Sequence, residues 1–523
     1  MRPVSEQAKV FPTRSAASQH PVLYEINTRC WLRDLSTQLG RPINLGNVPE
    51  TEFTRWRELG FTHIWLMGVW TSGPHSRQQA LDDVEMVREY REVFGGEDTS
   101  GLAGSPYAIA EYSVPPALGG DSGLRKLRQK LHAHGLKLVL DFAPNHVGLD
   151  HPWLTERPEL FVHRDNEFAE AFAMRTRHGT VWMAHGKDPN FFSWIDTAQL
   201  DYRVPETREA MFGVLASVAE RCDGVRCDMA MLVLNEVFAK NWAKIPTPNN
   251  PPEREFWADA ITEVRLAHPG FLFLGEVYWG LEEKLLELGF DYTYDKHLYD
   301  LVIHRKHLDV QAHLLQKGPE FIRRTAHFLE NHDESRVASL LSLAEHRAAA
   351  LVMFGLPGLR MLHEGQLTGA RIKVPVQFGR RPVEPSQPEI ESLYEYLLAA
   401  LSISAVGKGE FQLLVPAPAW ADNTTSVNIV IVQWKAAPEE FDLVTVNLAP
   451  HSSQCHVHPT IGHLADHDWE MKDLLGEEHY IRRGDDLVAR GLYLDLKPHA
   501  AQLFHFRPVG YSAAYLEAHA AKF

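Results

Sequence analysis

Short apolar segments alternate with amphipathic helical stretches along residues 20–400. The apolar segments are rich in β-branched and aromatic residues and are too short for helices, which is typical of strands buried on both faces. Repeated strand-then-helix units predict a parallel sheet with right-handed crossovers. We identify eight such segments, at residues 22–31, 61–69, 136–146, 224–230, 271–279, 290–295, 324–333 and 359–365. Eight units favour a closed (β/α)8 TIM barrel over an open sheet.

Two regions depart from this alternation. Residues 147–205 form a long irregular segment with Pro, Trp and His throughout, and we expect it to overhang the active site as an inserted domain after the third strand. From residue 405 the pattern has a period of two, which predicts a C-terminal antiparallel β-sandwich. The predicted domains are therefore a barrel (1–146 and 206–404), an inserted domain (147–205) and a sandwich (405–523).

The composition and net charge limit the classes of binding partner that we expect. Hydrophobic residues make up 45% of the chain and charged residues 23%, as in soluble globular proteins, and the net charge is −16. An acidic surface repels phosphate backbones and anionic lipid, so we expect neither nucleic acid nor membrane as partner, and a neutral or cationic ligand suits it better. The first twenty residues lack a signal-peptide core, and the four cysteines are too few for a disulfide scaffold, so we expect a cytoplasmic protein.

Polar side chains follow the predicted strands where each strand ends. Because the carboxyl ends of barrel strands meet at one rim, we expect three carboxylates, an arginine and two histidines to converge there: His146, Arg226, Asp228, Glu276, His332 and Asp333. Two facing carboxylates are what glycoside cleavage requires, one as nucleophile and one as acid/base. Arg226 lies two residues before Asp228 on the same face of a strand and can keep that carboxylate ionised. The apolar neighbours of Glu276 should raise its pKa, as an acid/base needs.

With these motifs, the chain resembles the α-amylase family of glycoside hydrolases (family 13). DFAPNHV, GVRCDMA, GEVYW and FLENHD are similar to the four ordered motifs of the family, and SPYAIAEY is similar to the stretch after its second strand. The resemblance implies a retaining mechanism with Asp228 as nucleophile, Glu276 as general acid/base and Asp333 as a third carboxylate that binds sugar hydroxyls. It also implies substrate contacts from Tyr107, His146, Arg226 and His332.

The departures from the family pattern leave some points open. Met231 and Leu232 stand where many starch-cleaving relatives carry a Lys-His pair, and Ala108 stands where many α-glucosidase relatives carry an Asp. Asn145 matches a calcium ligand of many relatives, and a role in loop hydrogen bonding is the alternative. We therefore expect no organic cofactor, with calcium at Asn145 left open.

The sequence predicts an enzyme that hydrolyses α-linked glucosides, in particular α-1,4-glucans or maltooligosaccharides, through a covalent glycosyl-enzyme intermediate. One alternative is a transglycosylase such as a glucanotransferase; others are an α-glucosidase or a member specific for sucrose, trehalose or α-1,6 bonds. A remote alternative is a non-catalytic barrel that serves as a binding module. The expected partner is a neutral oligosaccharide or polysaccharide, and the oligomeric state stays open.

Two further groups of residues receive structural predictions. The aromatic residues of the inserted segment are expected to form its own small core rather than sugar platforms: Trp153, Trp182, Phe191, Phe192 and Trp194. The basic stretch from Arg371 to Arg381 is expected to be a solvated, salt-bridged surface.

Overall fold

The computed structural model describes residues 20–518 except 178, 248 and 438. The predicted absence of a signal peptide concerns residues outside this range. Eight parallel strands close into the predicted barrel: β1 (Val22–Asn27), β2 (His63–Met67), β3 (Lys137–Phe142), β4 (Gly224–Cys227), β5 (Leu272–Gly275), β6 (Tyr292–Tyr294), β7 (Thr325–His327) and β8 (Leu359–His363). Neighbours in sequence are neighbours in the barrel, and β8 pairs with β1.

The strands are shorter than the apolar segments that predicted them. The first segment, 22–31, is cut at Asn27, because the Asn27 side chain accepts a hydrogen bond from the backbone N–H of Cys30 and begins a helix. All residues of β2, β4, β5 and β8 are buried, as expected of strands covered on both faces. The polar residues that end the other segments thus belong to loops at the carboxyl rim.

Helices surround the barrel and bury one face against it. In the helix Gly120–Ala133, Leu124, Leu127 and Leu131 are all buried, which matches their helical spacing. The helices of the barrel region, including those in its loops, are Thr28–Leu39, Glu50–Glu58, Pro74–Asp82, Val84–Phe94, Gly120–Ala133, Pro205–Ala219, Asn235–Asn241, Phe256–Ala267, Glu282–Glu287, Lys296–Ile303, His307–Ile322, Val337–Leu340, Leu343–Gly355 and Pro388–Ile403. Among the described residues, none of the helices combines the length and apolarity needed to cross a membrane.

Residues 147–205 are more regular than predicted. They contain the helix Trp153–Glu156 and a three-stranded antiparallel sheet in the order His163–Arg164, Gly179–Ala184, Ala171–Thr176. A ladder between His146–Gly148 and Thr197–Gln199 closes the segment at its base. The pattern of hydrophobic residues did not predict this sheet, because its strands are short and only partly buried.

The C-terminal region forms the predicted antiparallel sandwich. One sheet has six strands, in the order Glu410–Leu414, Ile429–Ala437, Glu440–Asn447, Ala501–Tyr511, His467–Asp473 and His479–Arg483. The other has three, Ala417–Pro418, Ser453–Val457 and Leu492–Leu496, and the helices Gly484–Arg490 and Ala513–Ala518 complete the region. Phe441 and Phe506 stack in its core with ring centroids 4.4 Å apart.

Candidate active site

The predicted polar residues converge at the carboxyl rim of the barrel. Backbone hydrogen bonds extend the sheet past the strand ends. The backbone N–H of Asp228 donates to the carbonyl oxygen of Phe142 at 2.9 Å, and the backbone N–H of Glu276 donates to the carbonyl oxygen of Cys227 at 3.0 Å. These bonds fix Asp228 and Glu276 on adjacent strands, so the two carboxylates face the same cavity. The hydrogen-bonded pairing of β4 with its neighbours β3 and β5 therefore sets the geometry of the site.

Arg226 joins the two carboxylates. Its side chain is fully buried, Nη1 donates to Asp228 Oδ1 at 2.7 Å, and Nη2 lies 2.7 Å from Glu276 Oε2. The guanidinium also lies over the Tyr107 ring, 5.3 Å from its centroid. A buried positive charge between two carboxylates offsets part of the cost of burying them.

The surroundings of Glu276 favour the protonated form of its carboxyl group. Its Oε2 accepts from the backbone N–H of Met229 at 2.7 Å, and its Oε1 accepts from the Tyr278 hydroxyl at 2.8 Å. Met229 has φ 42°, a left-handed conformation that is uncommon for a residue with a side chain and turns this N–H toward Glu276. Burial raises the pKa of Glu276 to about 7, with the charge of Asp228 adding to the shift and Arg226 opposing it.

A chain of charged groups lies on the opposite side of the site. Asp333 Oδ2 lies 3.0 Å from His332 Nε2, while His332 Nδ1 contacts Glu25 Oε1 on β1. Burial alone would lower the pKa of His332, but the carboxylates of Asp333 and Glu25 raise it well above its usual range. Desolvation opposes ionisation of Asp333, yet His332 holds the pKa of that carboxyl below its ordinary value.

Glu25 was missed in the sequence analysis. It is fully buried, and its carboxylate holds the far nitrogen of His332. The available signal was a charged residue within the otherwise apolar segment VLYEIN. A buried carboxylate in such a strand needs a partner, but the partner lies more than 300 residues away in the chain, so the sequence could not identify it.

Tyr107 and His146 line the cavity beside these groups. The Tyr107 ring stacks on His332 with centroids 5.5 Å apart, and its hydroxyl lies 3.0 Å from His332 Nε2. His146 is buried and faces Trp194 of the inserted segment, with ring centroids 5.1 Å apart. All seven residues that the sequence predicted for catalysis and substrate binding therefore lie together.

The cavity has a volume of about 870 Å³. Asp228, Glu276 and Asp333 lie in its lining with residues of the inserted segment and of the loops after β5, β6 and β7. The predicted burial is wrong for two aromatic residues: Phe191 is 73% exposed and lines the cavity, and Phe192 is 92% exposed. Both residues follow the turn at 189–190 and lie outside the strands of the three-stranded sheet.

The surroundings of Asn145 do not fit a calcium ion. Its side-chain oxygen accepts from Gln199 Nε2 at 2.9 Å, and its amide nitrogen lies 3.3 Å from Gln199 Oε1. The nearby carboxylate of Asp201 is paired with Arg203 at 2.7 Å. Calcium binding requires several free oxygen ligands, and here they are engaged. Within the described residues, no group of three His, Cys, Asp or Glu side chains has metal-binding geometry. The hydrogen-bonding alternative for Asn145 fits this structure.

The basic stretch from Arg371 to Arg381 is only in part the predicted salt-bridged surface. Arg381 pairs with Asp34 at 2.5 Å and with Glu364 at 2.8 Å. Lys373 instead donates to the backbone carbonyl of Asp333 at the rim of the cavity. This stretch thus reaches the candidate site, and among its described basic residues an ion pair is found for Arg381.

A sequence model described as the α-amylase catalytic domain matches residues 55–378, more than half of the chain. The chain belongs to the α-amylase family of glycoside hydrolases. Among solved structures it is similar to an α-amylase from Lactobacillus plantarum, at 22% identity and TM-score 0.64 over 93% of this chain and 98% of that one. An α-amylase from Geobacillus thermoleovorans complexed with acarbose matches at 19% identity and TM-score 0.62, over 94% of this chain and 98% of that one.

Curated relatives of this α-amylase family member match it over a smaller share of both chains. Alpha-amylase 3 of Dictyoglomus thermophilum is 22% identical over 52% of this chain and 55% of that protein. An α-1,4-glucan:maltose-1-phosphate maltosyltransferase of Burkholderia pseudomallei is 29% identical over 46% of this chain and 18% of that protein. The chain thus spans about half the length of the first relative and less of the second.

Proposed function

We propose that the protein is a retaining α-glycosidase that hydrolyses α-1,4-linked glucans or maltooligosaccharides. The observation that carries this proposal is the pair of cavity-facing carboxyl groups, Asp228 and Glu276, which share Arg226, while burial raises the pKa of Glu276 to about 7. A carboxylate oriented by an arginine and a neighbouring carboxyl group with a raised pKa provide a nucleophile and an acid in one site.

In the proposed first step, the Asp228 carboxylate attacks the anomeric carbon of the bound sugar. Arg226 orients this carboxylate through the 2.7 Å hydrogen bond. Glu276 gives its proton to the glycosidic oxygen as the bond breaks, so the leaving sugar departs as an alcohol. The product of this step is a glycosyl ester of Asp228 with inverted configuration.

In the second step, Glu276 acts as a base and takes a proton from water, which attacks the anomeric carbon and releases Asp228. Two inversions return the α configuration. Asp333, ionised beside His332, can accept hydrogen bonds from sugar hydroxyls, and the Tyr107 ring offers an apolar face to the same sugar. No step requires a metal or an organic cofactor. The free, buried cysteines support a cytoplasmic location.

A transferase is the second candidate, because several relatives are named maltosyltransferases. The two activities share the glycosyl ester and differ in whether water or a sugar hydroxyl attacks it. Acceptor binding and exclusion of water decide the outcome.

Incubation with maltoheptaose tests the proposal. Short maltooligosaccharides that appear first as the α anomer by proton NMR are the expected result, and Asp228→Asn should reduce turnover at least about a thousandfold while circular dichroism is unchanged. Products longer than maltoheptaose would instead identify a transferase. First products in the β anomer, or full turnover by Asp228→Asn, would refute the mechanism.

A further inference from the structure

One side of the cavity carries an excess of negative charge. Glu282 begins the helix after β5, Lys296 and Asp300 lie on the helix after β6, and Glu334 follows Asp333 after β7. We call Glu282, Lys296, Asp300 and Glu334 the acidic wall. All four line the cavity.

The single lysine of the acidic wall does not balance its carboxylates. Lys296 Nζ lies 2.5 Å from Asp300 Oδ1 and 3.3 Å from Glu334 Oε1, so two carboxylates already share its charge. Three carboxylates facing one ammonium group give the wall a net negative charge. Asp188 and Asp196 of the inserted segment also line the cavity, and their carboxylates add to this negative charge rather than cancelling it.

Glu282 is the member of the acidic wall whose carboxylate is available to a hydrogen-bond donor of a ligand. It is 8% exposed and lines the cavity, and within the described residues its side chain has no ion pair or hydrogen bond with another residue. The nearby Lys317 is paired with Glu283 at 3.2 Å instead. Because this side chain is largely withdrawn from solvent and no other described residue supplies it with a donor, a donor on a bound ligand would stabilise the carboxylate.

The acidic wall lies where the leaving group must be, if the proposed function holds. Glu276 gives its proton to the glycosidic oxygen, so the departing sugar lies over the residues next to Glu276. Glu276 directly follows β5, Glu282 begins the next helix, and β6, which precedes Lys296, pairs with β5. A charged substituent on the leaving sugar therefore lies in the electrostatic field of the acidic wall.

We propose that the acidic wall makes the protein selective for leaving-group sugars that are uncharged or carry an ammonium group, and against sugars that carry a phosphate or a carboxylate. This inference rests on the proposed function, because it takes the leaving side from the role of Glu276. A cleft lined by one sign of charge concentrates ligands of the opposite sign and excludes ligands of the same sign.

Three matched maltotriose derivatives test this inference: maltotriitol, maltotrionic acid and 1-amino-1-deoxymaltotriitol. All have an open-chain reducing end and differ there in charge. At low salt, kcat/KM should be at least about tenfold higher for the amine than for the acid, with maltotriitol between them. The ratio should shrink in concentrated salt, because screening weakens the field.

Two variants assign the effect to Glu282. Glu282→Gln should reduce the amine-to-acid ratio severalfold, whereas Glu283→Gln, which removes the same charge outside the cavity, should leave the ratio unchanged. Equal kcat/KM values for the amine and the acid would overturn the inference, as would equal effects of the two variants. Turnover of maltoheptaose reports on the proposed function separately. If maltoheptaose is not cleaved, that function fails, whereas calorimetric affinities of the three derivatives still show whether the cavity prefers the amine to the acid, and equal affinities would overturn the inference.

Discussion

Replacing Glu276 by glutamine should stabilise the protein at alkaline pH. In the folded protein, burial raises the pKa of Glu276 from 4.5 to about 7, with Asp228 adding to the shift and Arg226 opposing it. The folded state therefore binds this proton more tightly than the unfolded chain does. Between pH 4.5 and 7 the folded protein holds the proton and the unfolded chain has lost it, so the free energy of unfolding falls as the pH rises.

The expected size follows from the pKa difference. A rise of about 2.5 units corresponds to about 3 kcal/mol, at about 1.4 kcal/mol per unit. Above pH 7 the ionised Glu276 costs the folded state this amount, and an uncharged glutamine of the same shape does not. At pH 4 the two proteins should be equally stable, because Glu276 is then largely protonated in the folded state and the unfolded chain alike.

Urea unfolding followed by tryptophan fluorescence at about pH 4 and about pH 8 measures this difference. Glu283→Gln is the control, since it removes a half-exposed carboxylate seven residues along the chain, and its effect should stay within about 0.5 kcal/mol. The reasoning would be refuted if Glu276→Gln were no more stable than the natural protein at pH 8. An equal gain at both pH values would refute it too, since packing and not ionisation would then be the cause.

Four other outcomes are expected. The kcat/KM for maltotriose should fall above about pH 7, because Glu276 must be protonated; a flat profile to pH 9 would exclude it as the acid. Glu25→Gln should lower the pKa of His332 in a ¹⁵N NMR titration and reduce kcat/KM about tenfold at alkaline pH, since His332 then loses one of its two carboxylates; an unmoved pKa would contradict this. Phe191→Ala should raise KM for maltoheptaose about threefold, while Phe192→Ala, outside the cavity lining, should not; equal effects would remove Phe191 from substrate binding. A chelator should leave the melting temperature unchanged, because Gln199 occupies the side chain of Asn145; a drop of several degrees would reveal a metal site.

The fold and the core of the site were predictable because their signals are local. Each barrel strand is a short apolar segment, and each is followed directly by the polar residues that reach the rim. Strand direction in a parallel barrel then brings Asp228 and Glu276 together without any knowledge of their partners. The surroundings of Glu276 were predictable in the same way, since its neighbours in sequence are also among its neighbours in space.

What the sequence left open depends on contacts between distant parts of the chain. Glu25 meets His332 only when the barrel closes and brings β1 and the loop after β7 together at one rim. Gln199 reaches Asn145 only when the inserted segment folds back on its base. Phe191 could be a core residue or a cavity residue by pattern alone, because exposure is a property of the whole surface. The sequence by itself therefore determined the barrel, the sandwich and the carboxylates that meet at the rim. The tertiary structure decided protonation, burial and which carboxylates remain without partners, because these quantities sum over neighbours that only folding brings together.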